Sequence, residues 1–87
     1  MGGRSNSVKS PIHGPPLEKL AAHIRLYLTR RPRAADTVRG IVEVWLADIE
    51  PEPARDEVLA ALLYLEALGD LERVRLPDGS ELWRRAG

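Results

Sequence analysis

The stretch Ala54-Arg-Asp-Glu-Val58-Leu-Ala-Ala-Leu62-Leu-Tyr-Leu65-Glu-Ala-Leu-Gly69-Asp-Leu71-Glu-Arg-Val-Arg-Leu76-Pro-Asp-Gly79-Ser-Glu-Leu-Trp83-Arg joins two hydrophobic periods through one glycine. In its first half Val58, Ala61, Leu62, Leu65 and Leu68 step by three and four, which predicts a helix over about 54–68 with these residues turned inward. Pro53 suits its first turn, and Asp56 and Glu57 place negative charge at the positive end of its dipole. Gly69 is the residue best able to take the left-handed conformation that closes a helix. Beyond it, residues 71–76 and 81–85 flank Pro77-Asp78-Gly79-Ser80, a turn signal that folds them into an antiparallel hairpin. Alternation sets Leu71, Arg73 and Arg75 on one face and Glu72, Val74 and Leu76 on the other, and both faces mix charge with apolar residues. The inward face stays open.

Upstream, Val38, Ile41, Val42, Trp45, Leu46 and Ile49 form a second helical stripe, with Asp36 or Thr37 as its N-cap. Gly40 lies inside it at a cost of about 1 kcal/mol relative to alanine, so the expected reason for it is close approach by another backbone, that of the first helix. The Glu50-Pro51-Glu52-Pro53 stretch separates the second helix from the third. Leu17, Leu20, Ala21, Ile24 and Leu28 make a first stripe. Pro15-Pro16 sets its start, and Pro32 ends it by excluding Arg31 from the helical region. Residues 1–16, with three glycines, three prolines and three serines, read as a disordered N-terminal tail preceding a domain at 17–87.

At 87 residues there is room for one core, and a chain of this size buries only about 60–65% of its unfolded surface. It contains no cysteine, which excludes disulfides, thiolate metal sites and a thiol nucleophile. Thirteen bases balance thirteen acids, but residues 1–35 carry seven bases against Glu18 alone and the remainder carries six against twelve acids. The halves are thus +6 and −6, a dipolar distribution that net charge conceals. No apolar run approaches a membrane span, and no signal-peptide core is present near residue 1. Met1-Gly2-Gly3-Arg4-Ser5-Asn6 falls short of a myristoylation start because Asn6 replaces Ser or Thr. The location expected by default is cytoplasmic.

The order helix, helix, helix, hairpin, together with the leucine-rich helix end, the glycine, the strand that follows at once and the glycine in the loop at 77–80, resembles the winged helix-turn-helix superfamily. About 30 residues carry the resemblance well and about 70 loosely. It implies a mainly α fold with a small β-hairpin, and in DNA-binding members the exposed side of the third helix enters the major groove while wing bases contact the backbone. Here the groove-facing positions would be Arg55, Asp56, Leu59, Ala60, Leu63 and Tyr64. Between residues 50 and 66 five acids face Arg55 alone, a composition that opposes phosphate binding. Leu59 and Leu63 offer no hydrogen bonds to base edges.

Two interaction readings follow. Leu59, Ala60, Leu63, Tyr64 and Ala67 would form an apolar patch bordered by acids, suited to a protein partner or a second copy in a homodimer. Equally, Leu59 or Leu63 could be covered internally by the tail, the wing or the first helix. The alternative is a dimeric DNA-binding regulator of transcription using Arg30, Arg31, Arg33, Arg55, Arg73, Arg75, Arg84 and Arg85 on phosphates. The basic first-helix end and the acidic third-helix edge could also attract each other between copies. Trp45 and Trp83 sit on apolar positions and read as packing residues. His13 and His23 lack partners at ligand spacing, and Glu50, Glu52, Asp56 and Glu57 lack a base or pocket. No enzyme activity, metal, cofactor or small-molecule substrate is expected.

Overall fold

The computed structural model describes residues 16–87; the expected tail, its near-myristoylation start and His13 lie outside them, apart from Pro16. The elements are α1 (Leu17–Arg30), β1 (Ala35–Asp36), α2 (Val38–Gly40), a π-helical segment (Ile41–Trp45), α3 (Arg55–Ala67), β2 (Leu71–Arg75) and β3 (Glu81–Arg85). The three strands form one antiparallel sheet in the order β1-β3-β2. This is a small α+β fold. The expected two-stranded hairpin therefore gains a third strand, which two residues are too short to announce by alternation.

Proline sets both limits of α1. Pro16 is its N-cap, with φ −65° and ψ 159°, and its carbonyl accepts from the Lys19 and Leu20 amides at 3.0 and 3.2 Å. Arg31, before Pro32, leaves the helical region with φ −135°. Leu20, Ala21, Ile24 and Leu28 are buried, as their spacing predicts.

Thr37 caps α2: its hydroxyl oxygen accepts from the Gly40 amide at 3.1 Å. The second helix is not the uniform α-helix that the stripe predicts. After Gly40 the chain widens into π geometry, with the Leu46 amide donating to the Ile41 carbonyl five residues back at 3.0 Å. The stripe survives the widening, since Val38, Ile41, Trp45, Leu46 and Ile49 are buried. Gly40 has a different cause from the expected first-helix backbone. A Cβ there would overlap the Asp36 carboxylate, which also accepts from the Thr37 amide at 2.9 Å. Alanine at Gly40 should destabilise the domain by roughly 1 kcal/mol, because displacing Asp36 outweighs the gain in helix propensity. In an Asp36→Ala background the same change should become neutral or stabilising in urea titrations; equal costs in both backgrounds would contradict this cause.

Pro53 lies two residues before α3, just outside its N-cap, instead of in its first turn, and it is fully buried. Ala54 is the N-cap, and the Glu57 carboxylate accepts from its amide at 2.8 Å, half of a capping box. At the other end Gly69 has φ +84°, its amide donates to Glu66 O at 3.0 Å, and the Asp70 amide donates to Leu65 O at 2.9 Å. This Schellman closure reverses the chain directly into β2.

The turn between β2 and β3 is tight. The Gly79 amide donates to Leu76 O at 2.9 Å and the Leu76 amide to Ser80 O at 2.8 Å, with Gly79 at φ +90°. Asp78 Oδ1 accepts from the Ser80 hydroxyl and amide at 2.6 and 2.9 Å, and these bonds hold its carboxyl below the ordinary aspartate range. Pairing of Leu71 with Arg85, Arg73 with Trp83 and Arg75 with Glu81 settles the inward face. Leu71 and Trp83 on it are buried against the helices, while Glu72, Val74, Leu82 and Arg84 occupy the outer face.

Candidate functional site

One face of α3 belongs to the core through Val58, Ala61, Leu62 and Leu65, all fully buried. A helix has room for a second apolar stripe on its far side, and α3 has one. Ala60, Leu63, Tyr64 and Ala67 are exposed, with Leu63 at 42% and Tyr64 at 38%. Their spacing of three and four residues makes them neighbours along the helix surface. Leu68, which the periodicity assigns to the core, is instead 52% exposed and extends this stripe, since it lies four residues beyond Tyr64. The helix ends at Ala67, so the last step of the inward stripe has no helical turn to complete it.

Leu59 is not part of that exposed set. It is half-buried against the core and lines a hollow of about 420 Å³ with Arg55, Arg73 and Trp83. The hairpin and the start of α2, not α1, wall this hollow beside α3. Asp56 and Glu57 bound the stripe at its N-terminal end, and Glu66 is turned away from it to bond Arg73.

The arginines divide into two groups. Arg73 donates to both Glu66 oxygens at 3.2 and 3.1 Å, lies 3.7 Å from Glu81 and places its guanidinium 5.0 Å from the Trp83 ring centroid. Glu66 and then Glu81 raise its pKa above the ordinary arginine value. Arg75 pairs with Glu81 at 3.0 Å and Arg84 with Glu72 at 2.6 Å. Alternation turns Arg84 to the opposite face from Arg73, Arg75 and Arg85, so the four do not form one basic surface. Arg30, Arg33, Arg55 and Arg85 have no acidic partner among the described residues. Arg31 stacks at 4.9 Å on Tyr27, whose ring lies 4.9 Å from Trp45 at an interplanar angle of 10°. Sequence spacing contains no signal for these contacts on Tyr27, or for the bond from Arg25 Nε to Asp70 Oδ2 at 2.9 Å that ties α1 to the root of the hairpin.

His23 Nδ1 lies 3.1 Å from the Lys19 carbonyl, a local contact within α1. Among the described residues no three His, Asp or Glu side chains converge to hold a metal ion, and no helix is long and apolar enough to cross a membrane. Compared with known proteins, the chain matches no family model, no curated protein and no solved structure at a significant level.

Proposed function

We propose that the chain is a winged helix-turn-helix domain acting in the cytoplasm as a non-enzymatic interaction module, which pairs with a second copy of itself through the exposed face of α3. The observation that carries this reading is the continuous stripe Ala60, Leu63, Tyr64, Ala67 and Leu68 on a helix whose opposite face already fills the core. The strand added before α2 and the antiparallel sheet order β1-β3-β2 support the fold part of the reading. An uncharged stripe is self-complementary, because a two-fold axis across it brings no like charges together. Antiparallel α3 helices also keep the Asp56 and Glu57 ends of the two copies apart. Five side chains make a small contact, below the roughly 800 Å² per partner of a standard interface, so the pairing expected is weak and reversible.

Sedimentation velocity over a concentration series should show reversible dimerisation, and Leu63→Glu should leave a folded monomer. A Leu63→Glu chain that associates as before, or a wild-type chain that stays monomeric throughout, would overturn the reading.

A second reading, a dimeric DNA-binding transcriptional regulator, has one observation in its favour: Arg30 and Arg33, three residues apart in the chain, are exposed without acidic partners among the described residues. Against it, Arg73, Arg75 and Arg84 spend their charge within the sheet and on α3. Random duplex DNA at low salt should therefore give no mobility shift at micromolar protein; tight binding with a steep salt slope would favour the regulator instead.

A further inference from the structure

The turn that joins β2 to β3 holds a chemically reactive pair of residues. Of the five aspartates, Asp36, Asp48, Asp56 and Asp70 precede Thr37, Ile49, Glu57 and Leu71, and only Asp78 precedes a glycine. A side chain on the following residue hinders attack of that residue's amide nitrogen on an aspartyl carboxyl, and Gly79, with no Cβ, offers no such hindrance. Pro77, Asp78 and Gly79 are all exposed, so the pair is open to water.

The reaction open to the pair is a dehydration followed by a hydration. Gly79 N attacks Cγ of the neutral Asp78 carboxyl; the N–Cγ bond forms, the C–OH bond breaks, and the hydroxyl leaves as water together with the amide proton. Water then opens the five-membered succinimide at one of its two carbonyls. Cleavage of N–Cγ restores aspartate. Cleavage between the nitrogen and the main-chain carbonyl leaves the chain running through Cβ and Cγ, as isoaspartate. No reactant other than water is consumed.

The folded turn opposes each requirement of the first step. Asp78 Oδ1 accepts from the Ser80 hydroxyl at 2.6 Å and from its amide at 2.9 Å, two donors that favour the carboxylate over the neutral acid that must lose its hydroxyl. The Gly79 proton is already given to Leu76 O at 2.9 Å. That bond and the one from the Leu76 amide to Ser80 O at 2.8 Å also fix the backbone torsions that bring the nitrogen onto Cγ. Reaction therefore waits on opening of the turn.

We propose that Asp78-Gly79 is an isomerisation site that the closed turn protects, so that conversion to isoaspartate is gated by opening of the hairpin. Isoaspartate adds a methylene to the main chain within a tight turn, next to the pairing of Arg75 with Glu81. A chain that has reacted does not regain the same register. The inference is independent of the α3 reading, because the turn and the α3 face share no residue.

The test incubates the full chain in oxygen-18 water at mildly acidic pH, folded and in denaturing urea, followed by digestion in ordinary water and mass-spectrometric peptide mapping. Passage through the succinimide leaves oxygen-18 in the peptide that contains Asp78, and isoaspartate separates from aspartate by retention time. The folded chain should react at least about tenfold more slowly than the denatured one, the ratio set by how rarely the turn opens. Ser80→Ala, which removes the hydroxyl from Oδ1, should react about threefold faster than wild type when folded and at the wild-type rate in urea. Ser80→Thr, which keeps a hydroxyl, should stay near the wild-type rate in both conditions. Equal rates in the folded and denatured wild-type chain, no isotope uptake at Asp78 even in urea, or a folded Ser80→Ala chain as slow as wild type would each overturn the proposal.

Discussion

Trp83→Ala is expected to cost about 3–5 kcal/mol, the range for deleting a large buried aromatic, and so to remove most of the stability of the domain. Trp83 is 1% exposed and lies on the inner face of β3, between Asp36 of β1 on one side and Arg73 of β2 on the other. It is the one large side chain that all three strands share, and it anchors the sheet to the helices. Its loss leaves a void beneath the sheet and removes the ring under the Arg73 guanidinium. A chain of this length has roughly 4–13 kcal/mol in total. Thermal unfolding followed by circular dichroism should therefore show a midpoint lowered by roughly 12–40 °C, or no cooperative transition at all. A change under about 1 kcal/mol would mean that the hairpin is not tied to the core through this residue.

Trp45→Ala carries the second large effect, again about 3–5 kcal/mol. Here the ring stacks on Tyr27, and the Arg31 guanidinium also lies over the Tyr27 ring. Removing Trp45 takes away both the core volume at the end of the π-helical segment and the stacking support for Tyr27. Trp45→Phe retains a stacking surface and should cost only about 1–2 kcal/mol. Urea titrations of the two variants would separate the contributions. If alanine and phenylalanine cost the same, stacking on Tyr27 contributes nothing and only volume matters.

These two residues show what the sequence makes legible. Their positions on apolar stripes identify both as packing residues, and the structure places both in the core. The limits of α1 follow from Pro16 and Pro32, the cap of α2 from Thr37 and the chain reversal after α3 from Gly69, because each acts through local backbone chemistry within a turn or two. What depends on distant partners was not legible. The inward face of the hairpin has nearly equal numbers of charged and apolar residues on both sides, so only packing on the helices decides it. β1 is two residues long and exists because β3 offers it an edge. Gly40 answers to an aspartate four residues away, whose rotamer no periodicity encodes.

The candidate site was legible in part for the same reason. Ala60, Leu63, Tyr64 and Ala67 share the helix face opposite the core stripe, so spacing alone groups them. For Leu59, spacing leaves patch and internal cover equally open, and it packs partly against the core, whereas Leu68 departs from its expected core position because the helix ends before it. The arginines were visible as charges, but their partners arise from cross-strand register and from the approach of α3 to β2.

The α3 face is tested most directly by amide chemical shifts of the wild-type chain across a dilution series from millimolar to micromolar concentration. Residues 60–68 should move together along one concentration-dependent path toward the positions that Leu63→Glu shows at every concentration. Spectra that do not change on dilution, or changes that avoid α3 and gather at Arg30, Arg31 and Arg33, would contradict the assignment of this face as the surface through which the domain pairs.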